Sequence, residues 1–223
     1  MIIRGDCIEE MKKMENESVD LIASDPPYGM EFQSHRRKEI YNKIDNDNNL
    51  DWIKDFIKES FRVLKDNTHI YLFCSFHNVN IFKQEIERLF KIKNILIWKK
   101  NNHGSGDLKG SYAPQYEMII FAHKGRKELN NGRQSDILEF KKTGNKLHPT
   151  EKPVDLMKYI IEKSSNEGDI ILDPFMGSGT TGIASLQSFR KFIGIELNEE
   201  YFNIAKERII KIKLQSTLNT KNE

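Results

Sequence analysis

The chain has 223 residues, of which 38% are hydrophobic and 10% aromatic, enough for one α/β domain with a sizeable core. Thirty-five Lys and Arg residues oppose 33 acids, so the net charge is only +2 and affinity for nucleic acid requires a local patch. Two cysteines exclude a disulfide scaffold, and no apolar run reaches the roughly 18–20 residues of a membrane span. Because charge interrupts the first six residues, they do not form a secretory signal, and we expect a cytoplasmic protein.

Short apolar runs alternate along the chain with stretches of helical periodicity. The runs that predict strands are residues 2–3, 19–23, 70–73, 95–98, 118–122, 170–172 and 192–195. The periodic stretches that predict helices are 8–14, 52–64, 79–90, 153–161, 180–188 and 202–212, with Pro153 at the first helical position. Residues 29–50 are polar and predict a long loop. The alternation predicts an α/β fold with a doubly wound, mostly parallel sheet.

Four acidic residues each come directly after a strand-like run: Asp6, Asp25, Asp173 and Glu196. The carboxyl ends of parallel strands lie along one edge of a sheet, where ligands bind near the switch in strand order. The sequence therefore predicts that these carboxylates converge on one crevice. The alternative for each is that it caps a helix or begins a turn.

A glycine pattern lies between the strand at 170–172 and the helix that follows it. Gly177, Gly179 and Gly182 have the spacing G-x-G-x-x-G, and Glu196 is placed to hydrogen-bond a ribose diol. This pattern indicates an adenosine-containing ligand. A proline directly after the strand and the short remaining chain disfavour a dehydrogenase, and no lysine follows the loop as in ATP-binding loops. A tight turn without a ligand is the alternative.

Asp25-Pro26-Pro27-Tyr28 follows the strand at 19–23. The prolines fix the backbone and keep the preceding residues out of the helical region, so the segment is a rigid extended shelf. A carboxylate, backbone carbonyls and an aromatic ring suit an amine on a planar base, since two acceptors can bind its two N–H groups. The alternative is a proline-rich turn with a packed tyrosine.

The segments 25–28 and 173–181 together resemble the DNA amino-methyltransferases that use S-adenosylmethionine and act on N6 of adenine or N4 of cytosine. The base motif precedes the cofactor loop, which resembles the circularly permuted β-group, as do residues 148–153 (HPTEKP) and Gly5-Asp6-Cys7. The resemblance implies a seven-stranded Rossmann-like sheet in a single catalytic domain over residues 1–223. It also implies a target-recognition insertion at about residues 101–147.

The resemblance implies methyl transfer to N6 of an adenine flipped out of duplex DNA. Asp25 and the Pro26 carbonyl would accept hydrogen bonds from the amine, and Tyr28 would stack on the base. The predicted catalytic residues are Asp25, Pro26, Pro27 and Tyr28. The predicted cofactor-binding residues are Asp6, Cys7, Thr150, Lys152, Asp173, Phe175, Gly177, Ser178, Gly179, Thr180, Thr181 and Glu196.

Within that set the resemblance gives each group a part of the cofactor. Glu196 would hold the ribose, and Asp6 and Cys7 would flank the adenine. Asp173 and residues 177–181 would line the methionine part, whose carboxylate would meet Thr150 and Lys152. Neither cysteine lies in the proline-flanked motif of cytosine-C5 enzymes, and the six histidines are scattered, so we expect no metal.

Three other functions are open to such a chain. Adenine enzymes mostly begin the base motif with Asp and N4-cytosine enzymes with Ser, so Asp25 favours adenine and leaves cytosine as the alternative. A non-catalytic relative that binds DNA or nucleotide is the second. A methyltransferase for protein glutamine or RNA is the third, but that group mostly begins its motif with Asn and places the cofactor loop first.

Positive charge is concentrated between residues 99 and 152, where eleven Lys and Arg residues oppose six acids, a net +5. This excess predicts contacts with the DNA backbone, although a solvated charged surface is the alternative. The predicted DNA-binding residues are Arg36, Arg37, Lys38, Lys109, Lys141, Lys142 and Lys146. The expected partner is double-stranded DNA, and the resemblance is compatible with a homodimer and with a restriction endonuclease partner.

Overall fold

The computed structural model describes residues 1–27, 51–104, 109–143 and 151–219. Several predictions lie outside these residues. They are the loop at 29–50 and the roles of Tyr28, Arg36, Arg37, Lys38, Lys146 and Thr150.

Helices and strands alternate through the described chain. The strands are β1 (Ile2–Arg4), β2 (Val19–Ser24), β3 (Leu64–Cys74), β4 (Lys91–Lys99), β5 (Tyr116–Lys124), β6 (Ile137–Glu139), β7 (Ile170–Asp173) and β8 (Lys191–Glu196). The helices are α1 (Cys7–Lys12), α2 (Asp51–Val63), α3 (Val79–Ile86), α4 (Val154–Ser164), α5 (Thr180–Gln187) and α6 (Glu199–Asn219).

In the described ranges all the strands form one sheet, in the order β1-β8-β7-β2-β3-β5-β4-β6. Neighbouring strands pair in parallel except where β5 lies antiparallel between β3 and β4. The early strand β1 pairs with the late strand β8, and β2 pairs with β7. The beginning and the end of the chain therefore lie side by side at one half of the sheet.

Both faces of the sheet are buried, which is why its central strands are continuously apolar. On one face Ile70 and Leu72 of β3 pack with α1, α2 and α3. On the other, Tyr71 and Phe73 pack with α4 and α5, and α6 packs beside α5 over Phe192 of β8. This confirms the predicted doubly wound, mostly parallel α/β fold.

Some elements differ from the sequence expectation. The described part of the sheet has eight strands rather than seven, because residues 137–139 form a short edge strand parallel to β4. A strand of three residues is too short for its alternation of apolar and polar side chains to be recognised in the sequence. Pro153 is the N-cap of α4 rather than its first residue, with an extended ψ of 135°. Helix α3 ends at Ile86, and hydrogen-bonded turns continue from there to Phe90.

Gly182 permits the close approach of α5 to the sheet. A Cβ atom built there would lie 2.7 Å from the Phe192 ring and 2.9 Å from Ile209 of α6. The third glycine of the motif is thus needed for packing between helix and strand.

We expect Gly182→Val to lower the free energy of unfolding by about 1–3 kcal/mol, because the new side chain overfills the space against Phe192. Urea denaturation measures the change. Gln187→Val is the matched control, since Gln187 is exposed on the same helix. Equal stability losses in the two variants would contradict the packing explanation.

Candidate active site

The four acids predicted at strand ends lie along one edge of the sheet. Asp173 and Glu196 are the last residues of β7 and β8, and Asp6 and Asp25 follow β1 and β2; these four strands are consecutive parallel neighbours in the order β1-β8-β7-β2. At about 4.8 Å between neighbouring strands, the four strand ends span roughly 15 Å. The predicted convergence on a single edge is therefore observed.

Asp173 is buried beneath the glycine loop and connects three segments of chain. Its Oδ1 atom accepts from Ser24 Oγ at 2.5 Å and from the Phe175 N–H at 3.1 Å. Its Oδ2 atom accepts from Thr181 Oγ1 at 2.6 Å. Burial raises the pKa of Asp173 to about 6, against the opposing effect of these hydrogen bonds. The carboxylate fixes the loop to the end of β2, where the Asp25-Pro26-Pro27 segment begins.

Two residues of the glycine loop have backbone conformations that favour glycine. Gly177 has φ 50° and Gly179 has φ 83°, both in the left-handed region. A Cβ atom at Gly179 would lie 3.0 Å from the Ala205 Cβ of α6. The space beside Gly179 is thus taken up by α6, so this glycine sets the packing of the loop.

Glu196 binds the backbone of the loop. Its Oε2 atom accepts from the Gly177 N–H at 2.9 Å, and its Oε1 atom accepts from the Asn198 N–H at 2.8 Å. Burial raises the pKa of Glu196, and the backbone N–H groups oppose that effect. A carboxylate has about four acceptor positions, so both oxygens retain capacity for a diol.

Asp6 caps a helix, which the sequence analysis had kept as the alternative to a role in ligand binding. Its Oδ1 atom accepts from the N–H groups of Ile8 and Glu9, each at 3.0 Å, and so caps α1. Cys7 is buried at the first turn, and burial, followed by the nearby Asp6, raises the pKa of its thiol to about 12. Burial also raises the pKa of Cys74 to about 12. Both thiols are therefore protonated at neutral pH and unsuited to nucleophilic catalysis.

Other predicted cofactor residues contact neighbouring parts of the protein. The Phe175 ring packs edge-on against Trp52 and Phe56 of α2, with centroids 5.7 and 5.3 Å away. Ser178 is buried and accepts from Arg208 of α6, which lies 2.7 Å from its carbonyl and 2.9 Å from its hydroxyl. Thr180 is buried in the first turn of α5. These contacts support the loop, and the roles of these residues toward a cofactor stay predictions.

Asp25 is paired with Lys152, which the sequence had linked to the cofactor carboxylate. The buried Lys152 amine donates to Asp25 Oδ2 and lies 3.2 Å from Glu117 Oε2. Glu117 Oε1 lies 2.6 Å from the Lys100 amine. The sequence analysis did not identify Glu117 or Lys100 as site residues. The one sequence signal for Glu117 was its position just before the apolar run at 118–122. That position does not reveal that β5 is antiparallel and so brings Glu117 to this edge of the sheet.

The basic segment is only partly a surface patch. Lys109, Lys141 and Lys142 are exposed, as a DNA contact requires. Lys124 is instead buried and hydrogen-bonds the carbonyls of Phe61 and Leu64. The net +5 of the sequence segment thus overstates the positive charge that faces solvent.

The described residues contain no group of three or more His, Cys, Asp and Glu side chains that could hold a metal ion. Among their helices, none is long and apolar enough to cross a membrane.

A mostly parallel sheet with a glycine loop, an acid at the end of the next strand and an Asp-Pro-Pro shelf beside them has the architecture of a nucleotide-binding α/β protein. The family model of the DNA methylases (N6_N4_Mtase) matches residues 19–207. The chain therefore belongs to this family, which confirms the resemblance seen in the motifs.

Relatives match over nearly the whole chain. The DNA adenine methyltransferase YhdJ of Escherichia coli (strain K12) is 35% identical over 244 residues, covering 93% of this chain and 82% of YhdJ. The crystal structure of the M1.HpyAVI–SAM complex is 31% identical with a TM-score of 0.73, covering 93% of this chain and 98% of that one. The cytosine-N4-specific PvuII DNA methyltransferase has a TM-score of 0.76 at 19% identity and covers 95% and 89%. The PvuII DNA methyltransferase thus shares the fold of this chain.

Because burial raises the pKa of Asp173, we expect the contribution of this residue to the stability of the folded protein to fall as the pH rises from 4 to 7. Its pKa is raised to about 6, so the folded protein binds a proton that the unfolded chain releases near pH 4. Stability from this group is present below about pH 4 and is lost as the pH rises through 6. We expect wild type to lose up to about 3 kcal/mol relative to Asp173→Asn between pH 4 and 7.

Urea denaturation at several pH values measures this difference. Asp155→Asn, which removes an exposed carboxylate from α4, is the control for loss of charge. A wild-type-to-variant difference that stays constant from pH 4 to 7 would contradict the raised pKa.

Proposed function

We propose that this chain transfers the methyl group of S-adenosylmethionine to N6 of adenine in DNA. As a member of the DNA methylase family it is a DNA methyltransferase, and S-adenosylmethionine is the cofactor of that family. The observation that carries the proposal is the link between the two halves of the site. The Ser24–Asp173 hydrogen bond holds the Asp25 shelf beside the glycine loop.

The residues present fit this cofactor. Its sulfonium and ammonium groups are cationic, and the edge of the sheet presents four carboxylates. Glu196 retains acceptor capacity for the ribose hydroxyls, and the N-terminus of α5 offers backbone N–H groups to the methionine carboxylate. When bound, the cofactor supplies a methyl group activated by the positive sulfur. Asp6, Cys7, Phe175, Ser178, Thr180 and Thr181 shape the cofactor site in this proposal.

The catalytic residues act by positioning and charge. Asp25 and the Pro26 carbonyl accept the two N–H groups of the adenine amine and aim the nitrogen lone pair at the methyl carbon. The N–C bond would form as the C–S bond breaks, which would leave the neutral thioether S-adenosylhomocysteine, and the methylated nitrogen would release its extra proton to solvent. Pro26 and Pro27 keep the shelf rigid, and Tyr28 stacks on the flipped base.

The comparisons favour adenine over cytosine. YhdJ, which is named a DNA adenine methyltransferase, matches over most of both chains, whereas the cytosine-N4 enzyme shares the fold alone. A non-catalytic function is disfavoured because the Asp25 shelf and glycine loop are intact and contiguous. The protein-glutamine or RNA alternative does not fit a member of the DNA methylase family.

The finer parts of the proposal concern recognition and partners. The range 101–147 of the single catalytic domain contains β5 and β6, so target recognition falls to the segments around these strands. The substrate is double-stranded DNA, held by the exposed Lys109, Lys141 and Lys142 and by Arg36, Arg37, Lys38 and Lys146. A homodimer and a restriction endonuclease partner are compatible with this activity, and DNA as substrate agrees with a cytoplasmic location.

We expect the purified protein to convert adenine to N6-methyladenine in duplex DNA, as measured by mass spectrometry of the digested nucleosides. Asp25→Asn should reduce turnover by about two orders of magnitude or more, because the amine loses a charged acceptor. Cofactor affinity, measured by calorimetry, should change much less.

Two outcomes would contradict this assignment. N4-methylcytosine without N6-methyladenine would overturn the base and leave the mechanism in place. Full turnover in Asp25→Asn would overturn the role of the shelf.

The exposed lysines after β6 should supply affinity that is independent of sequence. Lys141→Gln with Lys142→Gln should weaken DNA binding and reduce the log–log salt slope by about 0.9 for each lost phosphate contact. Fluorescence anisotropy over a range of salt concentrations measures both effects.

Lys12→Gln with Lys13→Gln is the matched control, because this exposed pair lies at the far end of α1. An unchanged slope in the Lys141/Lys142 variant would mean that these lysines are solvated surface.

A further inference from the structure

Four charged side chains form a continuous row across the carboxyl edge of the sheet. Lys100 pairs with Glu117 at 2.6 Å, Glu117 lies 3.2 Å from Lys152, and Lys152 donates to Asp25. The charges alternate in sign along the row. Its last member is the carboxylate that begins the catalytic shelf.

The row depends on the one antiparallel strand of the described sheet. Glu117 is the second residue of β5, and the reversed direction of β5 places it opposite Trp98 near the end of β4. Lys100 follows β4, and its N–H donates to the Gln115 carbonyl at 2.8 Å. A parallel β5 would place its first residues at the opposite edge. The topology therefore brings Glu117 to the site.

Water gives these charges little stabilisation. The Lys152 side chain is 8% exposed, and its amine lies 5.0 Å from the centre of the buried Phe73 ring. A buried cation needs carboxylates close to it to remain charged. Within the described ranges, Asp25 and Glu117 are carboxylates that lie close to this amine, and the Glu117 contact is an ion pair at 3.2 Å.

The electrostatics agree with the geometry. Burial opposes the charge of Lys152, but Asp25 and Glu117 outweigh it and raise the pKa of the amine. Burial likewise opposes ionisation of Glu117, but Lys152 and Lys100 lower its pKa. Both groups are therefore charged at neutral pH.

We propose that Glu117 is a positioning residue for methyl transfer, which holds Lys152 against Asp25 and so fixes the direction of the Asp25 carboxylate. This inference rests on the proposed function. The other carboxylate oxygen of Glu117 pairs with the Lys100 amine at 2.6 Å. Asp25 thus receives a fixed cation on Oδ2, which sets the orientation in which its carboxylate meets the substrate amine.

The test is Glu117→Gln, which preserves shape and removes the charge. We expect kcat at saturating DNA to fall by about ten- to a hundredfold, because the acceptor loses its fixed direction. The KM for DNA and the calorimetric affinity for S-adenosylmethionine should change less than about threefold. Glu139→Gln is the matched control, since Glu139 forms an exposed pair with Lys99 at 2.9 Å on neighbouring strands.

The pH profile distinguishes positioning from a merely structural role. The titratable groups that surround Lys152 and its partners are Asp25, Glu117, Lys100, Cys74 and Asp173. Glu117→Gln removes a charge that raises the pKa of Lys152, so kcat should decline at a lower alkaline pH than in wild type. Lys100→Met removes a neighbouring cation, so it should produce no such decline.

The outcomes separate this inference from the proposed function. If wild type methylates adenine and a folded Glu117→Gln variant keeps its kcat and pH profile, the positioning role is wrong. If Lys100→Met and Glu117→Gln show the same alkaline decline, the effect is structural and the inference is also overturned. If wild type itself fails to methylate adenine, the proposed function fails first.

Discussion

The relative placement of the glycine loop and the end of β2 depends on the hydrogen bonds of the buried Asp173 carboxylate. It accepts from Ser24 at the end of β2, from Thr181 in α5 and from the backbone of the glycine loop. Hydrogen bonds to a charged group contribute about 1.5–3 kcal/mol each, and here they hold ionised a group that burial disfavours. The Asp-Pro-Pro segment and the glycine loop are thereby fixed to one point, although Ser24 and Asp173 lie 149 residues apart in the sequence.

The order of motifs along the chain matters less than the pairing of strands. The catalytic motif comes first and the cofactor loop last, yet β2 and β7 are hydrogen-bonded neighbours. Likewise β1 and β8 pair, so that Asp6 and Glu196 follow adjacent strands. A circularly permuted chain can build the same site because parallel pairing, rather than sequence order, decides which strand ends meet.

The sequence predicted those parts of the site that obey a local rule. Acids after apolar runs located the edge of the sheet, and glycine spacing located the loop, whereas the packing of Gly182 against Phe192 was seen only in the structure. It could not predict Glu117, because a strand's direction depends on its partners and not on its own residues. It could not predict Arg208 either, because that contact depends on how α6 crosses the loop. The capping of α1 by Asp6 follows the local preference of Asp for helix N-termini, and the sequence analysis had kept it as the alternative to ligand binding.

The same edge must attract two ligands of opposite charge, a cationic cofactor and a polyanionic DNA. The four carboxylates belong to β1, β8, β7 and β2, whereas Lys141 and Lys142 follow β6. Between β2 and β6 lie three strands, so the two sets are separated by roughly 19 Å. This exceeds the Debye length of about 8 Å at physiological salt, so in the proposed function the carboxylates and the lysines would act on different ligands. Lys152 and Lys100 lie between the two and neutralise Asp25 and Glu117 locally. The row of alternating charges therefore lowers the net negative charge at the end of β2, where the proposed substrate base would enter.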